Sequence, residues 1–131
     1  MQNNDNLLQW VEDLESGKFT QACEGYLKGR DGNYCCLGVL EERRIGFQSL
    51  GEEDYAYRTA DNLGNRSLPS AVAVTQYLGI PNAMRGDVTI GSVLVNYEGD
   101  ETTVHALNDQ GVSFREIARL IRETYNLPPQ V

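Results

Sequence analysis

The chain is poor in the residues from which reactive centres are made, with one histidine and three cysteines in 131 residues. Two of the cysteines, Cys35 and Cys36, are adjacent, and adjacent cysteines bridge only through a strained ring. That excludes a secreted disulfide framework and predicts a reduced, intracellular protein. Zinc sites draw on spaced cysteine pairs or on cysteines with histidines, whereas Cys23, the unspaced pair and His105 share no such spacing. No metal and no cofactor is expected. No apolar stretch approaches twenty residues and no basic-apolar segment opens the chain, so the reading is a soluble, unexported protein without a membrane partner. Cations are scarce as well. Eleven Lys and Arg against nineteen Asp and Glu leave a formal charge of −8, which argues against general nucleic-acid binding. The nucleophile-elbow, zincin, P-loop and dinucleotide-binding motifs are all missing.

What is present is a foldable pattern. The 14.6 kDa chain has 40% apolar residues, enough for one domain over residues 1–131 with a core that needs no staples. Its longest apolar run, Tyr34 to Leu40, follows the turn chemistry of residues 28–33 and precedes the charged Glu41-Glu42-Arg43-Arg44. The run is predicted to enter as strand and continue as a buried helix from Cys36 to Arg44, stopped by Gly46. Before it, Leu7, Trp10, Val11 and Leu14 predict a helix from Asp5 to about Glu15. Alternation over 19–23 predicts a strand that hairpins back onto Tyr34 and Cys35. A strand is admitted near Tyr55 and Tyr57, in a long loop. A helix is predicted from Leu68-Pro69 to Leu78, with Ala71, Val74 and Leu78 inward. Gly91-Ser92 suits a hairpin between 88–90 and 93–95. A short helical piece starts at Thr102 or Thr103, and a last helix opens with a Ser113–Glu116 capping box. The sum is α+β: about four helices packed with short antiparallel hairpins.

Candidate chemistry is sparse. The cysteines read most simply as small buried side chains, His105 as a helix-surface residue, and Glu52-Glu53-Asp54 as a solvated loop tip. The scarce cations offer more. Lys18, Lys28 and Arg30 fall on or near the first hairpin with Gln21, Tyr26 and Tyr34, and Arg43 and Arg44 follow the central run. An aromatic face with Arg or Lys is what a nucleotide needs, by stacking for the base and forked donors for phosphate. The ordinary alternative is surface charge paired with Glu24, Asp31, Glu41 and Glu42. Asn108 and Asp109 are candidate ligand contacts or helix caps.

The order of motifs resembles a family of small bacteriophage accessory proteins. The match runs through Trp10 to Gln21, Tyr34-Cys35-Cys36-Leu37-Gly38-Val39-Leu40, Leu68 to Val72, and Leu107-Asn108-Asp109 to Ile121. One departure is Glu41, where the family often carries a further cysteine. The resemblance implies an accessory rather than a virion protein, acting in the host cytoplasm against host defence. The leading expectation is a homo-oligomer that sequesters a nucleotide-derived immune messenger without catalysis. Two alternatives stand beside it: an acidic inhibitor of a host nucleic-acid-binding defence protein, and a small nucleotide-cleaving enzyme using His105.

Overall fold

The computed structural model of the protein describes residues 5–22, 28, 32–49, 57–58, 71–80 and 93–128; at 48, 49, 57, 58, 71–73 and 75 it describes the backbone alone. Helix α1 (Asp5–Glu15) buries Leu7, Trp10, Val11 and Leu14 along one stripe, as their spacing predicts. The Trp10 indole N–H donates to the Cys36 carbonyl at 2.9 Å inside the core, which ties α1 to the start of α2.

Helix α2 (Cys36–Arg44) occupies the predicted range. Its first six residues, Cys36 to Glu41, are all buried, so this is a central helix rather than one with a single inner face. Arg43, near its end, keeps a side chain 48% exposed. Cys35 is the N-cap, its Sγ accepting from the Gly38 amide at 3.3 Å. The Ile45 and Gly46 amides both close onto the Glu41 carbonyl, with Gly46 at φ 82°, a left-handed stop that glycine permits without strain.

The first hairpin takes another form. Tyr34 bridges Gln21 in parallel and Lys28 antiparallel. Its amide donates to the Thr20 carbonyl at 2.8 Å and its carbonyl accepts from Ala22 at 2.7 Å. Residues 19–22 therefore do not form the antiparallel partner of Tyr34 that a simple hairpin requires, and Cys23 lies outside the described residues. Strands β1 (Gln48–Ser49) and β2 (Tyr57–Arg58) pair antiparallel, so a strand does form at Tyr57.

Helix α3 (Ala71–Leu78) buries Val74 and Leu78 and ends at Gly79, which lies at φ 70°. The turn predicted at Gly91-Ser92 lies outside the described residues, and a hairpin follows directly after it. Strand β3 (Leu94–Tyr97) pairs with β4 (Asp100–Thr103) around Glu98-Gly99, both at positive φ, and residues 88–90 lie outside the described residues. Two left-handed residues suit a tight two-residue turn between right-twisted strands. Packing supplies the register: Val93 and Val95 are buried, while the Tyr125 hydroxyl donates to the Leu94 carbonyl at 2.9 Å.

Helix α4 (Val104–Asp109) starts at a Thr103 N-cap, and α5 (Phe114–Thr124) starts at Ser113, whose hydroxyl accepts from the Glu116 amide at 3.1 Å. The piece expected after Thr103 is thus a helix in its own right, which makes five among the described residues. The predicted return bond from Glu116 is replaced, since both its oxygens face Arg119. Helix α1 lies against α2, α3 and α5; α2 meets α4, and α5 meets β3. This α+β arrangement closes around Trp10, Leu37, Leu40, Leu107, Ile117 and Ile121, all nearly inaccessible.

Candidate functional site

The residues expected to bind a ligand gather only in part. Lys28 and Tyr34 do meet. The Tyr34 hydroxyl donates to Glu42 Oε1 at 2.6 Å, and the Lys28 ammonium stands 3.5 Å from the same oxygen. That ammonium also lies over two rings, 5.0 Å from the Tyr34 centroid and 5.7 Å from that of Phe47. Phe19 meets Tyr34 edge-on at 5.0 Å. Burial, then the bond to Glu42, raises the Tyr34 hydroxyl pKa. With the Lys28 side chain 15% exposed, cation, rings and carboxylate satisfy one another.

Arg43 and Arg44 turn elsewhere. Arg43 forks onto Asp13 of α1 at 2.6 and 3.0 Å, and Arg44 forks onto Glu41 at 2.7 Å through both nitrogens. Asp13 and Glu41 are buried, Glu41 completely, so each guanidinium offsets the charge of a buried carboxylate. Glu41 thus belongs to a buried ion pair. Lys18 is exposed, and its side chain makes no hydrogen bond or ion pair with a described residue. Tyr26 and Arg30 lie outside the described residues.

Gln21 and Asn108 do converge, but inward. Asn108, fully buried, accepts through Oδ1 from Gln21 Nε2 at 3.0 Å and from the Cys36 amide at 3.2 Å. Its Nδ2 donates to the Ala22 carbonyl at 2.8 Å. Gln21 also donates to the Val112 carbonyl at 2.6 Å. Asn108 is thus a clamp between three segments, not the cap that its helix-end position predicts. Asp109 is exposed beside it, and its charge reaches His105 one turn back.

Cys35 and Cys36 are packed rather than poised. Burial pushes the Cys35 thiol up to about 12 and Cys36 well above its ordinary value. Among the described residues, no group of three His, Cys, Asp or Glu side chains is placed to hold a metal ion.

A different site appears on α5. Arg115, Arg119 and Arg122 stand at i, i+4 and i+7 and line a cavity of about 460 Å³ together with Glu15, Glu116, Glu123 and Leu127. Arg122 is anchored, forking onto Glu15 at the end of α1 at 2.8 Å through both nitrogens. Arg119 is held at the surface by Glu116 and Glu123 at 2.5 Å. The pair with Arg119 lowers the Glu116 carboxyl below its ordinary range. Arg115 is exposed and makes no ion pair with a described residue. The volume lies within the range of small-molecule pockets, about 300–1,000 Å³. The sequence carried a signal for this face in the arginine spacing of its most clearly predicted helix. It carried none for Glu15, 107 positions from Arg122.

A family model described as a domain of unknown function, DUF8296, matches residues 3–125. The chain belongs to that family. No curated protein and no solved structure matches it. No described helix is long and apolar enough to cross a membrane.

Proposed function

We propose that this chain is a bacteriophage accessory protein that counters host defence by binding a nucleotide-derived messenger and holding it unchanged. It works as a homo-oligomer in the host cytoplasm. The observation that carries the binding reading is the α5 cavity, where three guanidiniums stand on one helix face and share the lining with Leu127 and with the carboxylates of Glu15, Glu116 and Glu123. Guanidiniums supply forked donors for phosphate, and their carbon stems with Leu127 give apolar walls against which a base can lie. The Lys28–Tyr34 corner contributes packing instead, because its charges are matched internally. Sequestration needs affinity and no transformation, which fits thiols pushed out of their reactive range.

A thermal-shift panel of cyclic nucleotides, ADP-ribose and its derivatives tests the reading. At least one member is expected to raise the melting temperature in a dose-dependent way. A panel without any shift contradicts it.

One observation favours a second reading as an acidic inhibitor of a host nucleic-acid-binding protein. Glu98, Asp100 and Glu101 are exposed around the β3–β4 turn, and the Glu98 charge raises the Tyr97 hydroxyl. That reading predicts capture of a basic host protein that is lost as salt rises.

A further inference from the structure

We infer that the α5 cavity selects nucleotides whose negative charge is concentrated, on a terminal phosphate or a pyrophosphate, over singly charged cyclic diesters. Arg115 and Arg119 take the phosphate by displacing Glu116 and Glu123. The inference rests on the binding reading above and narrows its ligand class.

The three arginines are not equivalent. Arg122 and Glu15 are only 10% and 8% exposed, and breaking so enclosed a pair strands a charge, so Arg122 stays in place as a wall. Arg119 is 51% exposed, and its partners Glu116 and Glu123 are 38% and 62% exposed. Ion pairs that open to water are weakly held, so both carboxylates can leave Arg119 at little cost. Arg115 stands one turn away and is already without an ion pair among the described residues.

Charge then decides the ligand. Arg119 engages two carboxylates at once, Glu116 through Nε and Nη2 and Glu123 through Nη1. A single-charge diester can replace one of them and leaves the other competing for the same guanidinium. A dianionic phosphate replaces both and spans to Arg115, one helical turn distant. Glu116 and Glu123 therefore act as resident competitors, and removing their charge should improve binding. A merely decorative salt-bridge network would not behave that way.

Calorimetric titration of the whole protein with AMP, ADP-ribose and 3′,5′-cyclic AMP tests this, with each variant's melting temperature checked first. AMP or ADP-ribose is expected to bind at least about tenfold more tightly than cyclic AMP. Arg115→Ala and Arg119→Ala should each weaken that binding about tenfold or more, while Glu116→Gln combined with Glu123→Gln should tighten it severalfold. Cyclic AMP binding as tightly as AMP, or unchanged affinity in the glutamine variant, overturns the charge-exchange inference and leaves the binding reading standing. Absence of binding by all three, together with a silent thermal-shift panel, overturns both.

Discussion

Arg122 and Glu15, 107 residues apart in sequence, face each other through two parallel hydrogen bonds of 2.8 Å that join the end of α1 to the last turn of α5. Arg122 also donates to the Pro128 carbonyl, so the chain after α5 is fastened to the same group. Removing one partner strands the other in a site about nine-tenths enclosed. Glu15→Leu or Arg122→Met is expected to lower unfolding free energy by about 3 kcal/mol, the lower end for a broken buried pair. The Glu15→Leu/Arg122→Met double variant should recover much of that loss. Urea denaturation of all three measures it, and simple addition of the two single losses would contradict the pairing.

Asn108 gives the second prediction. Its amide serves Gln21, the Cys36 amide and the Ala22 carbonyl in a fully buried position. Asn108→Ala leaves several of these groups without partners, and each buried unsatisfied group costs about 1–3 kcal/mol. A total loss of about 2–4 kcal/mol is expected from urea midpoints at unchanged slope. Asn108→Asp should not rescue it, because a carboxylate cannot donate to the Ala22 carbonyl.

The thiols of Cys35 and Cys36 should be inert while the protein is folded. Burial holds Cys35 at about 12 and raises Cys36 as well, so little thiolate exists near neutrality. Iodoacetamide labelling mapped by mass spectrometry is expected to leave both unmodified in buffer and to modify both in denaturant. Rapid native labelling of either residue would restore a redox role.

His105 sets a pH dependence of definite sign. Burial lowers its pKa, with Asp109 pulling weakly the other way. The unfolded chain therefore takes up this proton at higher pH than the folded chain does. Stability from the neutral imidazole is fully present above the ordinary histidine pKa of about 6.5 and is lost as pH falls toward the folded value. The melting-temperature gap between wild type and His105→Asn should accordingly narrow from about pH 8 to about pH 5. A widening gap would show that the folded state prefers the imidazolium.

Much of the fold was legible because single helices obey a local period. The bounds of α1 and α2, the inward stripe of α5 and the Ser113 cap follow from residues within a few positions of one another. The β3–β4 hairpin is not legible in the sequence, because Glu98 enters its left-handed conformation (φ 51°) without any residue preference to announce it. There the register follows from contacts with α5, which lie far along the chain. The predicted site failed to assemble as a whole for a similar reason. Arg44 meets Glu41 three residues away, a pairing that helix geometry permits one to read. Arg43 meets Asp13 from another helix, which no local pattern reveals. The arginine face of α5 is legible in its i, i+4, i+7 spacing, although the interleaved Glu116 and Glu123 give it the pattern of a solvated helix surface.

Ligand depletion followed by heat release tests the central claim most directly. The purified protein is incubated with a limiting nucleotide messenger that gives a thermal shift, and the filtrate is analysed before and after the protein is denatured. Sequestration predicts that free messenger disappears in proportion to protein added and returns chemically unchanged on heating. Messenger that never leaves solution, or that returns as a cleaved product, would contradict it.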